Sequence, residues 1–204
     1  MKTEIIFLVM LILLLVSSTS ACIIQFPQKE YPGNPVFSGT LPSNINGTRE
    51  AYLYDQILNG NYYLFYDGES DGSGNGGVPV WTIGVANSTN LTLWNDEGRI
   101  LNVSASGWDD AAVSDARIYN NTAVNGLYYM YYLGCNGVSD GIPATGYQIG
   151  LATSSAIDGP YTKYANNPII TNGIDGQFDS DLSYATDVPI KINSTTWGSV
   201  EILH

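Results

Sequence analysis

Carboxylates are the chemistry-bearing groups that this chain has in number. Nineteen Asp and Glu stand against seven Lys and Arg and a single histidine, His204, at the chain end. One terminal imidazole supports neither a Ser-His-Asp nucleophile nor a histidine zinc site. Paired carboxyls, by contrast, can divide general acid and general base work between them. Two acids, Asp109 and Asp110, follow the broad aromatic face of Trp108. Asp67, Glu69 and Asp71 have the spacing that opens a calcium loop, but the closing acid at position twelve is replaced by Val78. This segment reads as a flexible hairpin loop. The Gly-rich run 72–77 belongs to it and precedes no helix, so it is not a phosphate cradle.

The elements that must position such acids read as β. The chain has 15 Tyr and 22 Gly, and short aromatic or β-branched runs alternate with Gly, Asn, Asp and Ser clusters. Strands are expected at Ala51–Leu58, Tyr62–Tyr66, Trp81–Ala86, Val113–Tyr119, Leu127–Leu133, Tyr147–Thr153, Val188–Ile192 and Trp197–Leu203. Two segments recur at one offset of 66 residues. NGNYYLFYDG from Asn59 returns as NGLYYMYYLG from Asn125, and IGVANS from Ile83 returns as IGLATS from Ile149. GRIL from Gly98 and NNPII from Asn166 follow them as outer strands, and NPVF from Asn34 precedes the first unit. Each unit is expected to hold an inner strand, a tight Asn-Gly turn, an aromatic strand, an Ile-Gly strand and an outer strand. Four antiparallel strands per repeat make a β-propeller blade. A third unit begins near Asp187, so residues 22–204 are expected to supply two blades and part of a third. An open sheet edge of that kind favours aggregation.

The stretch WDDAAVSDARIY, GLYYMYYLG, YQIGLATS, YTKYANNPII, from Trp108 to Ile170, resembles the blade pattern of the five-bladed β-propeller glycosidases, the group of glycoside hydrolase families 43, 32, 68 and 130. The resemblance extends over roughly residues 31–192. It implies an all-β, five-bladed propeller, of which this chain resembles the N-terminal part. It also implies acids at equivalent points of successive inner strands: Asp55 in YDQIL, Asp115 in SDARI and Asp187 in TDVPI. Glycosidic cleavage needs one carboxyl to protonate the leaving oxygen and another to attack or activate water. By resemblance Asp55 is the general base, Asp115 the acid that orients and tunes, and Asp187 the general acid. Two departures stand out: Asp187-Val188-Pro189 replaces the family's Glu-x-Pro, and Gln56 replaces a Pro after Asp55. Trp108, Asp109 and Arg117 are the expected substrate-binding residues, with Asp109 or Asp110 as substitutes for Asp115. The implied activity is hydrolysis of arabinofuranosyl or xylosyl linkages in an oligo- or polysaccharide. The alternatives are a non-catalytic carbohydrate-binding propeller, a glycoside phosphorylase using Arg49 and Arg117 for phosphate, and a surface-adhesion repeat. No cofactor is implied, although a structural calcium is compatible.

The N-terminus sets the expected compartment. Lys2 precedes an apolar run, Ile5 to Val16, and then the small polar stretch Ser17 to Ala21. Twelve residues at helical rise span about 18 Å, against about 30 Å for a bilayer core. Residues 1–21 therefore read as a secretory signal peptide, with a secreted or cell-surface product and no membrane span. Cleavage after Ala21 would leave Cys22 first, which suggests a lipid anchor, although Thr19 stands where lipoproteins usually have Leu. Cys22 and Cys135 form a disulfide pair only if Cys22 stays unmodified. Lys2 and Glu4 cancel, so the processed chain keeps the net charge of -12. Seven basic residues exclude phosphate-backbone recognition, so nucleic acid is not an expected partner. Sequons at Asn46, Asn87, Asn90, Asn102, Asn120 and Asn193 suit an exported chain.

Overall fold

In the computed structural model the described residues are 31–72, 77–137 and 146–173, with the backbone of Ile190–Ile192 and Val200–Ile202. The chain divides into two compact units, Met1–Asn34 and Pro35–His204, and the second holds all the described strands. The leader-like segment, Cys22 and Asp187 lie outside the described residues.

Eight strands form two antiparallel meanders in succession. The first comprises β1 (Gly47–Leu53), β2 (Tyr62–Glu69), β3 (Trp81–Ser88) and β4 (Asn95–Leu101). The second comprises β5 (Ala112–Asn121), β6 (Leu127–Cys135), β7 (Gln148–Ser154) and β8 (Thr162–Lys163). A single parallel bridge, Trp81 to Ala112, joins them. β9 (Ile190–Ile192) and β10 (Val200–Ile202) pair antiparallel as a separate sheet, within the two segments expected to be strands of a third unit.

The two meanders share one register. Tyr62 faces Ser88 and Tyr66 faces Gly84 in the first, while Tyr128 faces Ser154 and Tyr132 faces Gly150 in the second. Every pair is displaced by the same 66 residues. Gly84 and Gly150 explain why the motif tolerates no side chain there. The ring of Tyr66 lies where a Cβ on Gly84 would be, 2.4 Å away, and Tyr132 does the same over Gly150 at 2.5 Å.

The faces stack as blades do. Tyr63 and Phe65 point from β2 into a cluster shared with Met130 and Tyr132 of β6. The residues equivalent to Tyr63 and Phe65, which are Tyr129 and Tyr131, face the other way into a second cluster with Leu133 and Ile149. One face of the first sheet thus packs on the opposite face of the second, as repeated blades must. This also accounts for the unbroken aromatic runs YYLFY and YYMYY, since a strand buried on both faces has no solvent side to alternate toward.

Three details differ from expectation. β1 spans Gly47–Leu53 rather than Ala51–Leu58, because its first half is polar and carries a bulge that apolar patterning does not detect. Asn59-Gly60 forms the expected tight turn with φ of 52° and 81° and closes the Leu58–Asn61 bridge. Asn125-Gly126 does not: β5 runs on to Asn121, and a helical turn, α1 (Thr122–Asn125), ends on the left-handed Gly126. Asn120 holds that turn by accepting from the Thr122 N–H and hydroxyl. Finally, Asp67 and Glu69 belong to β2 and not to a flexible loop.

Candidate functional site

The inner strands β1 and β5 each carry one bulge at the same place. Pairing of β1 on β2 shifts between Arg49 and Tyr52, and pairing of β5 on β6 shifts between Ser114 and Arg117. An extra residue on one strand breaks the alternation and re-aims a side chain. The re-aimed residue is an acid in both blades. Glu50 has φ 49° and Asp115 has φ 53°, in the left-handed region that side chains other than Gly, Asn and Asp seldom enter. Such conformers cost about 1–3 kcal/mol and concentrate at functional sites.

Asp67, on β2, ties the two bulges together. The Asp115 backbone N–H donates to Asp67 Oδ1 at 2.9 Å. On the other side Arg49 Nε lies 3.7 Å from Asp67 Oδ2 and 4.0 Å from Glu50 Oε1, so both carboxyls flank one guanidinium. Asp67 is only 1 % exposed. Burial, then the neighbouring Glu50 carboxyl, push its carboxyl up to about 9. Arg117 Nη1 bonds Asp115 Oδ1 at 2.8 Å and lies over the Tyr52 ring. Arg49 stacks on Trp81, 3.9 Å from the ring centre, with Tyr147 nearby. Two acids on equivalent bulges, flanked by two guanidiniums and three aromatic rings, can bind a polyhydroxylated ligand and move protons on it. Among the described residues no group of three or more Asp, Glu, Cys or His is arranged to hold a metal ion.

The sequence-derived candidates fall in different places. Asp115 stands on the bulge, 5 % exposed and paired with Arg117. Asp55 does not occupy the equivalent position in the first blade. It lies beyond the end of β1, exposed, beside Gln56, whose side chain meets Asn120 at the far end of β5. Five residues of extended chain, roughly 16 Å, separate that end from Asp115. The equivalent residue is Glu50, and the alignment of Glu50-Ala51-Tyr52-Leu53-Tyr54 with Asp115-Ala116-Arg117-Ile118-Tyr119 was legible at an offset of 65. Searching for Asp alone, at an offset taken from the aromatic strands, hides it.

Trp108 and Asp109 belong to the interior of the second blade. The Trp108 ring stacks on Tyr132 at 5.7 Å and covers Gly134 and Gly150. Asp109, 1 % exposed, accepts from Lys163 Nζ at 2.5 Å and the Tyr132 hydroxyl at 3.0 Å. Asp109 is enclosed by these partners, while Trp108 is partly buried against Tyr132. Asp110 accepts from the Gly107 N–H in the same loop. Asp67, Trp81 and Tyr147 carried no sequence signal of function.

The sequence matches no family model and no curated protein. Solved structures with the same strand arrangement are five-bladed β-propeller glycoside hydrolases, and the chain has the fold of part of such a propeller. A family 117 glycoside hydrolase of the marine bacterium Zobellia galactanivorans superposes with a TM-score of 0.51 at 22% identity, over 71% of this chain and 47% of that one. A glycosyl hydrolase from Bacteroides ovatus gives 0.47 at 19% identity, over 76% and 43%. An endo-arabinase from Bacteroides thetaiotaomicron gives 0.41 at 20% identity, over 58% and 34%. The chain therefore spans less than half the length of each of these structures.

Proposed function

We propose that this protein is a glycoside hydrolase-like, carbohydrate-active propeller whose reacting carboxyls include Glu50 and Asp115. One observation carries the reading: two successive blades put an acid on the same strained bulge, at the same end of the inner strand. Glu50 takes the general-base role expected for the first-blade acid, and Asp115 orients it and the substrate. Asp187, outside the described residues, remains the candidate general acid. Cleavage then follows the two-carboxyl scheme, one group protonating the leaving oxygen while the other activates water. Arabinofuranosyl and xylosyl linkages are the substrates to try first, on the strength of the sequence resemblance.

The test compares two variants on aryl arabinosides and xylosides. Glu50→Gln should lower turnover by about 10²–10⁴-fold, the usual range for general acid–base catalysis. Asp55→Asn, at the other end of the strand, should stay near wild type. The opposite ranking would return the base to Asp55. A second reading, a non-catalytic carbohydrate-binding propeller, is favoured by the Arg117–Asp115 ion pair, which ties up one of the two acids. Saturable sugar binding with no turnover of any glycoside would support it. A phosphorylase has less support, since Arg49 and Arg117 both lie against carboxylates.

A further inference from the structure

Asp67 occupies a position where blade architecture takes a leucine. It pairs with Arg49 on β1 and Ile83 on β3, and Leu133 pairs in the same way with Ser114 on β5 and Ile149 on β7. Leu133, 4 % exposed, sits in an apolar cluster. The fold thus needs no carboxyl there, and burying one is unfavourable. Its surroundings are also those of a neutral acid. Oδ1 receives the Asp115 N–H, but Oδ2 has no donor within hydrogen-bond reach, since Arg49 Nε is too far at 3.7 Å. An ionised Asp67 would leave a bare, buried oxygen beside Glu50. A protonated one turns the same atom into a donor, and the neighbouring acceptor is Glu50, whose Oε1 lies 4.0 Å from the same Arg49 Nε that Oδ2 faces. The other charged or titratable groups around this pair are Arg49 from β1, Asp115 and Arg117 from β5, and Tyr147 at the entry to β7.

Resting on the reading that Glu50 and Asp115 form the reactive centre, we propose that Asp67 is a positioning residue. It works as a neutral carboxylic acid, donates its O–H to Glu50, and holds the Asp115 bulge with its other oxygen. The two carboxyls then carry one proton and one negative charge between them. Loss of that proton places two like charges in contact at the blade interface and releases Glu50.

The direct experiment is carboxyl-carbon NMR of the aspartate-labelled protein across pH. The Asp67 resonance, assigned by its loss in Asp67→Asn, should be that of a protonated acid at neutral pH and titrate near 9. Glu50→Gln, which removes the neighbouring charge, should move that titration to lower pH. A resonance already ionised at neutral pH, or one indifferent to Glu50→Gln, overturns the inference. This readout needs no turnover, so it stands apart from the fate of the hydrolase reading. Where turnover is found, its alkaline limb near pH 9 should vanish in Asp67→Asn, whose amide can donate but cannot ionise. Asp67→Leu, copying the second blade, should lower kcat at every pH. An unchanged alkaline limb in Asp67→Asn would also sink the proposal.

Discussion

Asp67 and Asp109 are equally buried, and they meet the cost of burial in opposite ways. Asp109 is held by Lys163, whose ammonium is itself pulled down by burial while Asp109 opposes that pull. Asp67 has only Arg49, 3.7 Å away and outside hydrogen-bond reach, and burial pushes its carboxyl up. The two therefore respond differently to pH and to mutation. For Asp67 the folded state holds a proton up to about 9, whereas the unfolded chain releases it near 3.8. Between these limits the native state binds more protons, so its stability falls as pH rises. The slope is at most about 1.4 kcal/mol per pH unit. Denaturant melts at pH 5 and pH 8 should show wild type losing more stability than Asp67→Asn over that interval; parallel losses would place the proton elsewhere. For Asp109 the expected effect is loss of a partner. Lys163→Met leaves a buried charge uncompensated and should cost about 3–5 kcal/mol in the same assay.

At the scale of the element, each blade closes its interior with a tyrosine clamped between two polar side chains. In the first blade Asn44 donates to the Tyr66 oxygen at 2.8 Å and to Asp96 at 2.7 Å, and the Tyr66 hydroxyl donates to Asp96 at 2.5 Å. In the second, Asp109 accepts from the Tyr132 hydroxyl and Asn167 donates to the same oxygen at 3.1 Å. Lys163 holds the register position of Asp96 and bonds Asp109 instead, since Ala86 faces Asp96 and Ala152 faces Lys163. The carboxylate has changed sides, and an amide from beyond β8 supplies the tyrosine's second partner. Combining Asp109→Asn with Lys163→Asp copies the first blade and should recover most of what either change loses, giving a positive coupling in a double-mutant cycle. The glycines separate two further costs. Gly84→Ala drives a Cβ into the Tyr66 ring and should lower stability by about 1–3 kcal/mol or more. Gly60→Ala meets nothing and pays only for its φ of 81°, about 1 kcal/mol. Thermal unfolding should rank Gly84→Ala as the more damaging. The aromatic strands behind these clamps were legible in sequence because Tyr, Phe and Met fill both faces of a stacked sheet. Of the expected outer strands, GRIL falls within β4, whereas the outer strand of the second blade is Thr162–Lys163 and not NNPII, of which Ile170 makes only an isolated bridge to Ile149.

At the scale of the whole molecule, two sheets stack face to opposite face and share one parallel bridge, so their relation rests mainly on side chains. Asp67 crosses that interface to the backbone of Asp115, which makes the candidate site a product of blade stacking rather than of either blade. No helix among the described residues is long and apolar enough to cross a membrane. We propose from the leader-like residues 1–21 that the protein is exported. N-terminal sequencing of the protein recovered outside the cell should begin at Cys22, and retention of Met1 would refute that.

Pattern in the chain determined the all-β class, the 66-residue spacing and the register that follows from it, because blade strands are local hairpins whose aromatic and glycine positions repeat. It also singled out Asp115, which a short motif marks. Tertiary structure picked out which acid of the first blade holds the equivalent bulge, an equivalence the chain carries only at an offset of 65. A bulge inserts one residue into β1 and one into β5, and a slip of one residue reverses the side a strand residue faces. Glu50 enters the site by that insertion, and Asp55 is left at the far end of the strand. Asp67 was decided by tertiary structure too. Its sequence neighbours, Tyr66 and Gly68, suit a strand end; pairing with β1 brings Glu50 near it within its own blade, and only the stacked second blade brings the Asp115 N–H to its Oδ1.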